Sequence, residues 1–404
     1  MRFTLLAVSL LTFAVGIGGA VAQDAQAPVK IGVLTDMNSL YADIVGEGAV
    51  TAARLAVEDA GPVLGKPVEL IIGDHQNKAD VGSTIVRGWY DSGVDMVTEG
   101  GSSAVALAVE EVSRQKQRLV LFSGPASSDI TGPKCSPYAA HWTYDTYALA
   151  HVTGSAIVKS GGATWFFIGA DYAFGHALER DTATVVEQNG GKVLGAVYAP
   201  LNTADFSSFL LQAQSSKAKI IGLANAGGDT INSIKQGAEF GIIEGGQKFA
   251  ALLMFISDVH SLGLKTAQGL QFTSAFYWDL NDETRAFSKR YFERMHRIPT
   301  MVQAGVYSAT HHYLEAVKAT QSKDPLAVME KMRATPINDF MTKNGTLRID
   351  GRVVRDMYLF EVKKPQDSRG DWDYLKLIET VRGDQAFRPL DAGGCPLVKK
   401  AAAQ

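Results

Sequence analysis

The chain has 404 residues, a formal net charge of -3 at pH 7, 46% hydrophobic residues and 20% charged ones. Binding a polyanion needs a concentrated excess of Lys and Arg, and no basic run occurs here, so a nucleic-acid role is excluded. The length exceeds one ordinary domain while the apolar share is normal, which predicts two or three lobes, each burying a core.

Arg2, the nearly continuous apolar run Phe3 to Val15 and the small-x-small sequence Ala20-Val21-Ala22 ahead of Gln23-Asp24 read as an export signal over residues 1–22. Phe3 to Ala22 is also about long enough to span a bilayer, but the weak positive start and the cleavage pattern favour export, with a mature chain starting near Gln23. No cysteine follows the run, so no lipid anchor is expected, and no later segment is apolar enough to cross a membrane. The two cysteines, Cys135 and Cys395, lie in Gly-, Pro- and Ser-rich settings that suit loops. In an exported chain they pair most simply, two free thiols being the alternative. The bridge would pin the tail to the body and, by closing a very long loop, stabilise the fold by ~2 to 4 kcal/mol.

From Val29 onward, short β-rich runs alternate with helical patterns, the signature of parallel sheets covered by helices. Strand Val29 to Thr35 is followed by helix Gly48 to Ala60, with Ala49, Ala52, Ala53 and Ala56 on one face. Strand Val68 to Ile72 leads to helix Asp80 to Tyr90, strand Met96 to Thr98 to helix Ser103 to Arg114, and strand Leu119 to Phe122 closes the set. Ser123 to Asp145 reads as a loop. The alternation then restarts with helix Tyr147 to Ser160, strand Thr164 to Ile168, helix Gly175 to Asn189, strand Val193 to Tyr198, helix Phe206 to Ser215, strand Ile220 to Ala224, helix Asp229 to Phe240 and strand Phe249 to Met254. Helices are predicted at Asp282 to Met295, Met301 to Ala319 and Pro325 to Ala334, and a hairpin from Thr346 to Ile349 and Arg352 to Val362 after the turn dipeptide Asn344-Gly345. The fold class is therefore α/β, with two doubly wound parallel-sheet lobes. The polar tail, residues 365–404, is expected to wrap the body, with Lys399 to Gln404 disordered.

Two strand-to-helix junctions carry small hydroxyl residues: Glu99-Gly100-Gly101-Ser102-Ser103 and Ser123-Gly124-Pro125-Ala126-Ser127-Ser128. At the carboxyl ends of parallel strands, helix N-termini present free N–H groups that bind anions, and the hydroxyls of Ser102, Ser103 and Ser127 can join them. Ordinary helix caps use the same residue types, so the residues alone fit either role. Two further junctions, Gly169-Ala170-Asp171-Tyr172-Ala173-Phe174-Gly175 and Asn225-Ala226-Gly227-Gly228, would face the first two across a cleft. Walker A, Gly-x-Gly-x-x-Gly and Gly-x-Ser-x-Gly patterns are missing from the mature chain. Asp36, Asp74 and His75 stand at strand ends with no nucleophile or metal site beside them, and no catalytic role, cofactor or metal is assigned.

Taken together, Val29-Lys30-Ile31-Gly32-Val33-Leu34, Glu58-Asp59, Leu64-Gly65-Lys66-Pro67-Val68, the Gly-Gly-Ser-Ser loop, Ala126-Ser127-Ser128-Asp129 and Asp171-Tyr172-Ala173-Phe174-Gly175 resemble the type I periplasmic binding proteins. The specific likeness is to the branched-chain amino-acid-binding (Leu/Ile/Val) group that serves ABC transporters. The resemblance implies two lobes joined by three crossover segments, here residues 28–145 with 277–340 and residues 146–276 with 341–364. It also implies a non-enzymatic, monomeric periplasmic protein that closes on a small molecule and delivers it to a membrane permease. Its carboxylate clamp falls on Ser103, Ala126 and Ser127, with Ser102 beside it, Tyr41 as a lid, and Tyr144, Asp171, Tyr172, Phe174, Asn225 and Phe255 around the ligand.

The chain departs from that pattern after the strand Phe249 to Met254. Amino-acid binders place an acid there for the ligand's ammonium, whereas this chain reads Leu252-Leu253-Met254-Phe255-Ile256. An unpaired buried ammonium is heavily disfavoured. Unless Asp171 or Asp258 substitutes, the expected ligand is an aromatic or aliphatic organic acid lacking an α-amine. Branched-chain amino-acid binding, or a ligand-sensing receptor role, is the alternative. Tyr41, Trp142, Tyr144, Phe174 and Phe255 are candidates for an aromatic pocket, Trp142 being the one best placed for core packing instead.

Overall fold

The structure, a computed structural model, describes residues 27–401, so the export-signal expectation for residues 1–22 lies outside the described residues. Five short strands form an all-parallel first sheet in the order β2-β1-β3-β4-β5: β1 Lys30–Thr35, β2 Glu69–Asp74, β3 Met96–Glu99, β4 Leu119–Phe122 and β5 Ala139–His141. Helices α1 (Gly46–Ala60), α2 (Ala79–Asp91) and α3 (Ser103–Lys116) connect the first four. One face of the sheet packs Leu34, Val97 and Val120 against Val86, Val105 and Val109. The other packs Ile31, Met96 and Leu121 against residues of later helices such as Tyr313 and Leu314. Strands buried on both faces read as unbroken apolar runs, which is why they were legible. β5 was not, because Ala139-Ala140-His141 inside a Pro- and Ser-rich stretch carries no strand signal and exists only through pairing with β4.

The predicted helix Tyr147 to Ser160 is interrupted. It runs as α4 (Thr146–Leu149), a π turn (Ala150–Gly154) and α5 (Ser155–Lys159). A second parallel sheet follows in the order β7-β6-β8-β9, from β6 Thr164–Ala170, β7 Lys192–Ala199, β8 Ile220–Ala224 and β9 Lys248–Ala251, with α6 (Ala173–Gln188), α7 (Ser207–Ser215) and α8 (Gly228–Glu239) between them. The short helices α9 (Ile256–Leu262) and α10 (Leu264–Ala267) and strand β10 (Gln271–Ser274) had no detectable periodicity over so few residues.

Helices α11 (Asp282–Met295), α12 (Met301–Thr320) and α13 (Pro325–Ala334) start where their caps predict. Asn281, Thr300 and Asp324 each accept a first-turn N–H with the side chain, and Pro325 opens α13. The expected long hairpin divides in two. β11 (Thr346–Leu347) pairs with β12 (Val353–Val354), while β13 (Met357–Val362) runs antiparallel between β10 and β14 (Leu375–Val381). Leu347 and Val353 are buried with Ile31 and Trp142, and Arg352 bridges to His141. Leu347, Arg352 and Val353 therefore pack with the first sheet, past residue 340 where the sequence placed the change of lobe.

The tail also does more than wrap the surface, since β14 adds a strand and α14 (Gly383–Ala386) and α15 (Pro396–Ala401) follow. α15 includes Lys399, where disorder was expected, and residues 402–404 lie outside the described ones. Cys135 and Cys395 are joined, with Cα atoms 5.7 Å apart and 260 residues between them in sequence.

Candidate ligand-binding site

The two parallel sheets point their carboxyl ends at one another, and a small cavity lies between. The segment after β1 brings Tyr41, Ile44 and Val45; the turn after β3 brings Gly101, Ser102 and Ser103; the turn after β4 brings Gly124, Pro125 and Ala126; and Tyr144 follows β5. From the opposite sheet come Tyr172 and Phe174 after β6, Ala226 after β8, and Leu253 and Phe255 after β9. This is the position at which open α/β sheets hold ligands.

Ser102 occupies the N-cap position of α3, yet its hydroxyl makes no capping bond. The same hydroxyl is buried without any hydrogen-bond partner. A buried polar group left unpaired costs about 1 to 3 kcal/mol, so this hydroxyl on the cavity wall is able to bond to a molecule placed there. Ser103 is already engaged: its Oγ accepts the N–H groups of Ala126, at 3.2 Å, and Ser127, at 3.0 Å. Both amides are spent on that oxygen, which leaves the Ser103 hydroxyl hydrogen as the donor this residue can offer. Ser127 itself does not line the cavity, and its Oγ accepts the N–H of Asp129 at 3.3 Å, a local turn contact.

Below this wall lies Glu99, which the strand pattern had left without a role. Its carboxyl accepts the N–H of Gly101 at 2.7 Å and of Gly124 at 3.0 Å, and complete burial pushes its pKa up to about 8. Glu99, Gly100 and Gly101 all adopt positive φ, which curls the loop around that carboxyl. At Gly101 nothing larger fits, because a Cβ would lie 1.9 Å from Nε2 of His75. A charged residue closing an otherwise fully buried strand was the one signal that could have drawn attention to it.

Tyr41 is held by Asp36, whose carboxylate accepts the backbone N–H of both Ser39 and Tyr41. The Tyr41 hydroxyl meets that of Tyr172 at 2.8 Å, so a residue from each sheet closes the cavity. Tyr144 donates to the carbonyl of Gly124 at 2.6 Å and packs edge-on to Phe255. Outside the cavity, Ser128 donates to Asp181 at 2.7 Å and Arg180 pairs with Asp129 at 3.3 Å, joining α6 to the loop after β4.

Besides Ser127, three expected neighbours of the ligand are elsewhere. Asp171 is exposed and pairs with His176 at 3.0 Å. Asn225 is buried but turned toward α8, donating to Ser233 and accepting from Thr230. Trp142 is buried in the first sheet's core, donating to Ser308 at 2.8 Å. Asp258, the other candidate partner for an ammonium, caps α9 by accepting the N–H of Phe255 at 2.9 Å, and burial raises its pKa to about 7. No acidic side chain lines the cavity. Ile44, Val45, Pro125 and Leu253 do line it and had no signal beyond general hydrophobicity. Asp36 and Asp74 bond to neighbouring backbone N–H groups, and burial lowers the pKa of His75 to about 4, an arrangement that supplies structure and no nucleophile.

Two facing α/β sheets and a cavity at their carboxyl ends define a ligand-binding protein of the type I periplasmic fold. A family description, periplasmic binding protein, matches residues 28–370, and the chain belongs to that family of non-enzymatic ligand carriers. A periplasmic binding protein from Burkholderia mallei is 51% identical, with a TM-score of 0.90 over 92% of this chain and 99% of that one. A branched chain amino acid ABC transporter periplasmic ligand-binding protein from Burkholderia xenovorans LB400 is 40% identical, with a TM-score of 0.82 over 91% and 99% of the two chains. A Rhodopseudomonas palustris ABC transporter solute-binding protein in complex with benzoate shares the fold at 19% identity, with a TM-score of 0.81 over 92% and 100%.

Proposed function

We propose that this protein is the exported solute-binding component of an ABC importer and that it captures a small organic acid, aromatic or aliphatic, without an α-ammonium group. The observation that carries this reading is the composition of the cavity wall: the unpartnered hydroxyl of Ser102 and the hydroxyl of Ser103, which accepts two backbone N–H groups and keeps its own proton to donate, against Tyr172, Phe174, Leu253 and Phe255 from the other sheet, with no acid among the lining residues. Donors at a helix start orient a carboxylate, and burial of an apolar body supplies affinity.

The lobes are residues 28 to about 142 with 277–354, and the intervening segment with 357–362 and β14. They close by rotation about the three crossings, and the Tyr41–Tyr172 and Arg180–Asp129 contacts form on closure. The closed monomer is what a membrane permease recognises, and the signal over residues 1–22 is removed in the periplasm. A second reading, branched-chain amino-acid binding, is favoured by the aliphatic patch of Ile44, Val45 and Leu253 and by the described role of the Burkholderia xenovorans relative. A thermal-shift screen of organic acids against α-amino acids tests the two, since a ligand that binds only the folded state raises the melting temperature. Organic acids are expected to give the larger shifts, and shifts confined to amino acids would reject the first reading.

A further inference from the structure

The backbone donors nearest the Gly-Gly-Ser-Ser turn are not all available to a ligand. Two of them, the N–H groups of Gly101 and Gly124, are already taken by the carboxyl of Glu99, and both glycines line the cavity. Glu99 is thus an internal carboxyl set one layer of backbone behind the surface that is to receive the ligand's own carboxylate. It is fully buried, and among the described residues no Lys, Arg or His pairs with it. The charged and titratable groups around it offer no relief. Asp36 at the end of β1 is an acid; His75 at the end of β2 packs on Gly101 and is held neutral by burial; the Tyr144 hydroxyl beyond β5 is held protonated by burial and by Glu99 itself. Two like charges across a desolvated wall disfavour each other strongly, and the one that can shed its charge by taking a proton does so.

We propose that Glu99 is a specificity-determining residue that carries a proton whenever the cavity holds an anionic ligand, so that capture of the ligand is coupled to protonation of Glu99. This rests on the carboxylate reading above. The balance is simple: ligand anion plus ionised Glu99 plus one solvent proton gives the complex with neutral Glu99, and where Glu99 is already neutral no proton moves. With the carboxyl titrating at about 8 in the empty site, proton uptake is near zero at pH 6 and approaches one per ligand at pH 9. Affinity is level below neutrality and falls as pH rises through that value, by about tenfold between pH 7 and 9.

Calorimetry of the wild-type chain with benzoate, 4-methylpentanoate and 3-phenylpropanoate, at pH 6 and 9 and in two buffers of different ionisation enthalpy, measures the uptake directly. For each acid that binds, the expected result is close to one proton taken up at pH 9 and about tenfold weaker binding. In Glu99→Gln, which cannot ionise, both effects should vanish, while other acids that burial raises, among them Asp229 to about 6 and Asp258 to about 7, remain as they are. Binding of any of these acids with no proton uptake and unchanged affinity overturns the proposal and leaves the carboxylate reading intact. Failure of all three to bind at either pH overturns the carboxylate reading and this proposal with it. The buffer comparison on the wild type decides the matter even where the variant folds poorly.

Discussion

The two walls of the cavity are built on the same plan, but the serine hydroxyls lie on the first alone. Each is a set of turns at the carboxyl ends of a parallel sheet, and each has a buried acid behind it that holds backbone N–H groups: Glu99 with Gly101 and Gly124, Asp258 with Phe255. Toward the ligand, the first wall shows the Ser102 and Ser103 hydroxyls beside Ile44, Val45 and Pro125, whereas the second shows Tyr172, Phe174, Ala226, Leu253 and Phe255. The polar wall fixes where a head group sits, because hydrogen bonds are directional. The apolar wall decides how large a body is accepted, because burial scales with area and has little direction.

Erasing the difference has the largest expected effect. Leu253→Glu puts an unpaired acid on the apolar wall and should weaken a carboxylate ligand by at least ~3 kcal/mol, while creating the partner that an α-ammonium lacks. Titration calorimetry with acid and amino-acid ligands reads both changes, and unchanged preference would mean that this wall does not select charge. Ser103→Ala weakens the polar wall itself, leaving the Ala126 and Ser127 amides without their acceptor, and a loss of about 1 to 3 kcal/mol in carboxylate affinity is expected. If affinity holds in this variant, the head group lies elsewhere.

The acids behind the walls predict a pH dependence of stability. Both have folded pKa values, about 8 for Glu99 and about 7 for Asp258, above their ordinary 4.5 and 3.8. Each therefore holds its proton better folded than unfolded. The stabilisation is complete below the ordinary value and is lost as pH rises, until pH 7 for Asp258 and pH 8 for Glu99. Each group contributes a slope of up to ~1.4 kcal/mol per pH unit. Chemical denaturation from pH 5 to 9 should show stability falling, with Glu99→Gln and Asp258→Asn each removing part of the slope; a profile flat across this range contradicts the assignment. The smallest effect is expected at the seam between the walls. Tyr172→Phe removes the hydroxyl contact with Tyr41 and should cost about 1 kcal/mol, read as faster ligand release by stopped flow.

How much of this was readable without coordinates differs between the same two regions. The alternation of buried strands and helices announced both sheets, and the Gly-Gly-Ser-Ser turn announced the polar wall, because few residue types serve a close-approach turn. The apolar wall was legible only in part: Tyr172, Phe174 and Phe255 were placed at the ligand, but Leu253 belongs to the run Leu252-Leu253-Met254-Phe255, where nothing local tells which side chain faces a cavity. Asp171 and Asn225 were placed near the ligand because they end or follow strands, but the rotamer that sends one to His176 and the other to Ser233 is a tertiary choice. β5, β10 and β14 were hidden for a related reason, since short strands take their identity from the partner they pair with.

The central claim is that the site grips a carboxylate and offers nothing to an α-ammonium. Calorimetry with two matched pairs, 4-methylpentanoate against leucine and 3-phenylpropanoate against phenylalanine, isolates the amine with the carbon skeleton held constant. Tighter binding of the amine-free member in each pair is the predicted result, and tighter binding of leucine and phenylalanine would contradict the account.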